Sequence, residues 1–150
     1  MERFHWLDEH DADVWTTLWD FITWVPSHFD EHLKSTHKMA FVDYLTMLAI
    51  AQAENHRTTM SQLAGGTHMS PSRLSHVMDR LESRGLTERH RSTQDRRSTI
   101  ASLTPEGVEF MVHATPDLIH TLQASIFEAV SVEEADQLKA ILTKIRDHAK

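Results

Sequence analysis

Eight arginines, at positions 57, 73, 80, 84, 89, 91, 96 and 97, crowd into residues 56–97, where only four acids, Asp79, Glu82, Glu88 and Asp95, oppose them. The window carries +4, and since the whole chain sums to −7, the remainder carries −11. Guanidinium groups gathered in this way suit a polyanion, because each neutralised phosphate releases condensed counterions. Two subsets are spaced for contact. In a helical repeat from Pro71 to Ser83, Ser72, Arg73, Ser75, His76, Asp79 and Arg80 oppose an apolar row of Leu74, Val77, Met78 and Leu81, with Ser70 at the start. Arg91, Arg96 and Arg97 flank a polar tip between two short segments, Leu86 to Arg91 and Arg97 to Leu103, that read as a hairpin. A helix with short donors near its N-terminus fits the major groove, and an arginine on a narrow tip fits the minor groove. Asp95 is placed to accept from Arg97 and orient its guanidinium. Each feature alone is also what a solvated helix face or an exposed turn looks like; their adjacency favours nucleic acid.

These groups need elements to hold them. Apolar residues at Val14, Trp15, Leu18, Trp19, Ile22, Phe29 and Leu33 predict a helix from Asp11 to Leu33, kinked or restarted at Pro26. A second helix is expected from Phe41 to Glu54, with Phe41, Tyr44, Leu45, Leu48 and Ala51 on its buried side. Thr59-Met60-Ser61-Gln62 has capping-box spacing, opening a third helix that Gly65-Gly66 should end. Ser70-Pro71 opens the fourth, and Gly85 stops it. Thr104-Pro105-Glu106-Gly107 opens a fifth helix, bent or divided at Thr115-Pro116. Ser131-Val132-Glu133-Glu134 is another capping box, and Ala135, Leu138, Ile141, Leu142 and Ile145 give the last helix one apolar face. The order of helix, turn, polar helix and hairpin is that of a winged helix-turn-helix. The outer helices carry more apolar surface than so small a lobe can cover, so a second copy is expected over them.

At 150 residues the chain fits one domain, and 40% hydrophobic with 25% charged residues is ordinary for a globular protein. No cysteine is present, which excludes disulfides, thiolate zinc sites and thiol switches. The first ten residues, MERFHWLDEH, place acids where a signal peptide needs an apolar core, and no membrane-length apolar run follows; a cytoplasmic location is expected. Twelve histidines would carry the formal charge from −7 to +5 if all were protonated, so mild acid should change any encounter with DNA. The chain shows no glycine-flanked nucleophile, no His-Glu-x-x-His and no phosphate-binding glycine loop, so an enzyme is not expected.

The stretch from Ser61 to Gly107 resembles the DNA-binding core of the MarR family of bacterial transcription regulators. The resemblance rests on Leu63-Ala64, on Asp79-Arg80-Leu81-Glu82, on Arg84-Gly85-Leu86, and on Asp95-Arg96-Arg97 followed by Leu103-Thr104 and Gly107. It implies a mainly α (α+β) fold: a winged-helix lobe over 41–104, with dimerisation helices over 1–35 and 105–150. It further implies a homodimeric regulator of double-stranded DNA, a repressor more often than an activator, bound to a pseudo-palindromic operator. By position, Ser70, Ser72, Arg73, Ser75 and His76 fall where the family's recognition helix meets DNA, Arg97 falls on the wing arginine and Asp95 on the acid that orients it. Gly65-Gly66 departs from the family pattern and bears on the length of the third helix.

A small aromatic effector in the crease between lobe and dimerisation helices is the control such a resemblance implies, with Trp15, Trp19, Trp24, Phe41, Tyr44 and Met111 as candidate walls. The same side chains would serve equally as a dimer core. Zinc or pH is the alternative control: His28 and His32 lie i, i+4 beside Glu31, His37 follows, and Glu109 with His113 forms another i, i+4 pair. That spacing is generic, and no cofactor is expected. A winged helix used only for protein contact is the remaining alternative.

Overall fold

The computed structural model describes residues 7–93, 95 and 97–148. In chain order it comprises α1 (Glu9–His37), α2 (Phe41–Ala51), β1 (Arg57–Thr59), α3 (Met60–Thr67), α4 (Pro71–Ser83), β2 (Thr87–Arg91), β3 (Thr99–Leu103), α5 (Pro105–Ser125) and α6 (Val132–His148), with short 3-10 turns at Glu54–His56 and Phe127–Ala129. The mainly helical winged-helix fold expected from the sequence is what forms.

Helix starts are fixed by local side chains. The Thr59 hydroxyl accepts from the Gln62 amide at 3.1 Å while the Gln62 side chain accepts from the Thr59 amide at 3.3 Å, the reciprocal capping box at α3. Ser70 accepts from the Arg73 amide at 3.3 Å ahead of Pro71, and Ser131 and Glu134 repeat the box at α6. Gly85, at φ +70, supplies the left-handed turn after α4 that any other residue would adopt under strain.

Four local expectations are corrected. α1 does not restart at Pro26 but continues through it as one helix, and Pro26 lies on an exposed stretch where water can satisfy the carbonyl that proline leaves free. α2 ends at Ala51, three residues short, where Asn55 and His56 adopt left-handed backbone and the His56 ring donates to the Ala51 carbonyl at 2.8 Å. Its buried side is Tyr44, Met47 and Ile50; Leu45 is 40% exposed. α3 continues through Gly65 and Gly66 to Thr67, held by its cap and by buried Leu63, and stops at His68, whose φ of 53 lets the Met69 amide return to the Ala64 carbonyl.

The hairpin gains a third strand that the sequence reading missed. β3 lies between β1 and β2, antiparallel to both, with fully buried Ala101 paired to Thr58 on one side and Arg89 on the other. Three residues of β1 are too few to show an alternating pattern.

The chain divides into two compact units, 1–111 and 112–150. In the first, Phe29 and Leu33 of α1, Met47 and Ile50 of α2, and Leu74, Val77, Met78 and Leu81 of α4 are buried. The root of the hairpin is tied to α5 there: the Thr104 hydroxyl donates to the Gly85 carbonyl at 2.6 Å and accepts from the Gly107 amide at 3.0 Å. A Cβ on Gly107 would run into the Leu86 carbonyl, so glycine is required by this close approach. In the second unit α6 buries none of its described residues. One α5, with Pro116 inside it, spans Pro105–Ser125, so the expected division at Thr115-Pro116 is not seen in its helical assignment.

Candidate nucleic-acid interface

α4 stands on an apolar base and is braced by three arginines. Arg80 grips the buried Asp43 of α2 through Nε to Oδ2 at 3.2 Å and Nη2 to Oδ1 at 2.5 Å. That bidentate pair holds the guanidinium above its already high pKa. Arg84 donates to the carbonyls of Lys38 and His37 at the end of α1, at 3.0 and 3.4 Å, and lies 5.5 Å from the centre of the Phe110 ring. Arg89, projecting from β2, donates to Glu82 at 3.0 and 2.7 Å, to Asp79 at 2.5 Å and to the Ser75 hydroxyl at 3.3 Å. Its pKa is likewise raised, by Glu82 first.

This corrects the expected role of Arg80: its guanidinium is committed to α2. Arg84, Arg89 and Asp43, which the sequence reading did not single out, are the braces. Asp43 had one detectable signal, being the only residue charged at neutral pH in the mostly apolar run Phe41–Ala51.

The internal pairing sorts the arginines. Among the described residues Arg57, Arg73, Arg91 and Arg97 engage no acid, and all four are exposed. Arg73 lies on the first turn of α4 with exposed Ser72, and His76 is exposed one turn on. Ser70 is occupied as the N-cap, and Ser75 is half-buried and receives Arg89. Arg91 ends β2, and Arg97 follows the hairpin tip. Arg96 lies outside the described residues. Arg97 also borders a cleft of about 310 Å³ between the hairpin and the start of α3, shared with Thr59, Ser61 and Thr99.

Asp95 organises the tip differently from expectation. Its carboxylate accepts from the backbone amide of Arg97 at 2.9 Å and from the Ser98 hydroxyl at 2.7 Å, so it shapes the backbone that carries Arg97 rather than gripping the guanidinium. Those two donors lower its pKa, the amide first.

The candidate effector walls are dispersed within the first unit. Tyr44 and Met111 are buried, Phe41 is half-buried against Phe29 with ring centres 5.5 Å apart, and Trp15, Trp19 and Trp24 are each exposed. Trp15 stacks on Trp19 at 5.8 Å, and Trp24 on His28 at 4.8 Å. Of the metal candidates in this unit, His28, Glu31, His32, His37 and Glu109 bring no three ligand atoms within reach of one another; His113 belongs to the second unit. The ring of His37 meets Phe110 edge-on at 5.9 Å. Among the described residues the grouping with metal-like spacing is Asp8, His10 and Asp11, all exposed at the start of α1.

A family model described as transcriptional regulator SarA/Rot matches residues 28–113. The transcriptional repressor MprA of Escherichia coli is 31% identical over 102 residues, 68% of this chain and 57% of the repressor. The match thus spans little more than half the length of that relative. Among solved structures, Sco3205 of Streptomyces coelicolor, a MarR family transcriptional regulator solved in complex with DNA, has a TM-score of 0.91 at 27% identity, covering 97% of this chain and 94% of that one. AbsC, a MarR family regulator of the same organism, has a TM-score of 0.91 at 27% identity, with 97% of each chain covered. No described helix is long and apolar enough to cross a membrane. The sequence motifs, the braced helix and hairpin, and these likenesses agree: the chain belongs to the MarR-type winged-helix transcriptional regulators that the SarA/Rot model describes.

Proposed function

We propose that two copies of this chain bind a pseudo-palindromic site on double-stranded DNA and repress transcription from it. One observation carries this reading: once Arg80, Arg84 and Arg89 are accounted for as braces, Arg73 on the polar face of α4 and Arg91 and Arg97 on the hairpin remain exposed with no acid engaged. Ser72, Arg73 and His76 read bases or phosphates in the major groove, and Arg97 enters the minor groove. Residues 41–104 act as the reading lobe. The DNA-bound state of Sco3205 and the repressor named among the relatives support the reading by likeness.

Dimerisation is supported by apolar surface that the single chain leaves uncovered. Trp19 is 52% exposed and Ile22 49% exposed on α1, while α6 presents Leu138, Ile141, Leu142 and Ile145. Such surfaces mark association sites on soluble chains. Selection of bound fragments from genomic DNA tests the whole reading. An inverted repeat with half-sites one helical turn apart is expected, and binding should fall with salt at a log–log slope of about −5 for six neutralised phosphates per dimer. Failure to enrich any duplex at low salt would refute it.

A further inference from the structure

Two histidines stand beside Arg73, the exposed cation on the first turn of α4. His76 lies one turn on from Arg73, in line with Ser72 on the polar face, and His68 ends α3 in left-handed backbone and shares a groove rim with Arg73. Both imidazoles are exposed, and among the described residues neither takes part in a hydrogen bond or an ion pair.

The acids that could favour a proton on these rings are engaged elsewhere. α3 carries no charged residue, and α2 offers only Asp43, which is committed to Arg80. On α4 itself, Asp79 and Glu82 both receive the Arg89 guanidinium of β2. Glu88 accepts from Ser102, and Asp95 is turned to the Arg97 amide and the Ser98 hydroxyl. What else β1 and β2 bring is cationic or neutral at about pH 7: Arg57, Arg91 and His90. A proton on His68 or His76 therefore meets the positive charge of Arg73 and no unengaged carboxylate.

We propose that His68 and His76 bind DNA as imidazolium cations, so that the complex takes up protons as it forms and mild acid tightens it. A backbone phosphate set beside Arg73 supplies the anion that the protein withholds, and a phosphate next to an imidazole favours the charged ring. Linkage makes the effect mutual: DNA strengthens proton binding by the factor with which the proton strengthens DNA binding. The gain is complete below the ordinary imidazole value of about 6.5 and is lost as pH rises through the higher value that a phosphate imposes. A mere change of net charge would act differently, since all twelve histidines contribute to it wherever they lie. The inference rests on the proposed DNA reading and adds to it the groups that make it responsive to acid.

Calorimetric titration of the full chain with a duplex enriched from genomic DNA, in buffers of different ionisation enthalpy at about pH 7 and constant ionic strength, counts the protons taken up. Uptake of about one to four protons per dimer is expected, and affinity should rise about tenfold or more between about pH 7.5 and 6.5. His76→Gln combined with His68→Asn removes both charges, asparagine being tolerant of the left-handed backbone at 68. This double variant should lose most of the uptake and of the pH dependence while its melting temperature is unchanged. His76→Arg, a fixed cation, should raise affinity at about pH 7.5 and lower the uptake. Uptake that survives the double substitution assigns the acid response to net charge and overturns the inference, as does wild-type binding without proton uptake; in both cases DNA binding itself stands. Failure to bind any duplex at either pH overturns the DNA reading as well.

Discussion

Arg89 of β2 and Glu82 of α4 meet end to end, Nε to Oε1 at 3.0 Å and Nη2 to Oε2 at 2.7 Å, so the hairpin and α4 are held by a two-pronged contact. Both side chains are mostly but not fully shielded, at 24% and 29% exposure, which places the pair between a weak surface contact and a buried one. Arg89→Ala should cost about 1–2 kcal/mol of stability, and Arg89→Lys somewhat less, because lysine supplies the charge without the fork. Chemical denaturation measures both. Operator affinity should fall for both variants by more than non-specific affinity, since the two reading elements lose their fixed angle.

The Arg80–Asp43 pair should respond asymmetrically. Asp43 is 7% exposed at its side chain and Arg80 51%, so deleting the arginine strands a buried carboxylate whereas deleting the acid leaves a guanidinium that water can reach. Arg80→Met is expected to cost about 2–3 kcal/mol and Asp43→Asn about 1 kcal/mol. Equal losses in denaturation would show that burial does not set the balance.

Arg97→Ala should weaken operator binding about tenfold or more while leaving the melting temperature within a degree or so, because the side chain engages no acid. Arg73→Ala should relax base preference more than it lowers affinity for random DNA. Competition binding against specific and random duplexes separates the two; equal losses on both would assign Arg73 to a phosphate.

Asp30 of α1 accepts from the Phe41 amide at 3.0 Å and so caps α2, a duty that Ala40 at the N-cap cannot perform. The Lys34 side chain first, and the Phe41 amide second, hold its carboxyl below the ordinary aspartate range. Its contribution is therefore complete above the ordinary value of about 4 and is lost as pH falls through the lowered one. The difference in unfolding free energy between wild type and Asp30→Ala should stay constant from about pH 7 to 5 and shrink below about pH 4. A difference that grows on acidification would reverse the assignment.

Ile141→Asp on α6, at a position 56% exposed in the single chain, should yield a monomer by analytical ultracentrifugation and reduce operator affinity about a hundredfold. An unchanged dimer would place the association surface elsewhere.

What the sequence disclosed and what it withheld divide by distance along the chain. The caps at Thr59, Ser70 and Ser131 bind within three residues, and Gly85 ends α4 by its own backbone, so each was readable from a short window. The braces join residues 37 apart for Arg80 with Asp43 and 46 apart for Arg84 with Lys38, and nothing in a linear reading separates these arginines from Arg73 or Arg97. Composition therefore located the basic segment but overstated how much of it is available to a polyanion. The glycine pair in α3 misled for the opposite reason: its low helix propensity was outweighed by a strong cap and by buried Leu63.

Gly107 presses its bare backbone against the Leu86 carbonyl, and Thr104 fastens the same spot from both sides. Such a joint has no slack. A side chain at position 107 would have to push Leu86 aside, and with it the start of β2, so the first turn of α5 and the root of the hairpin tolerate change only together.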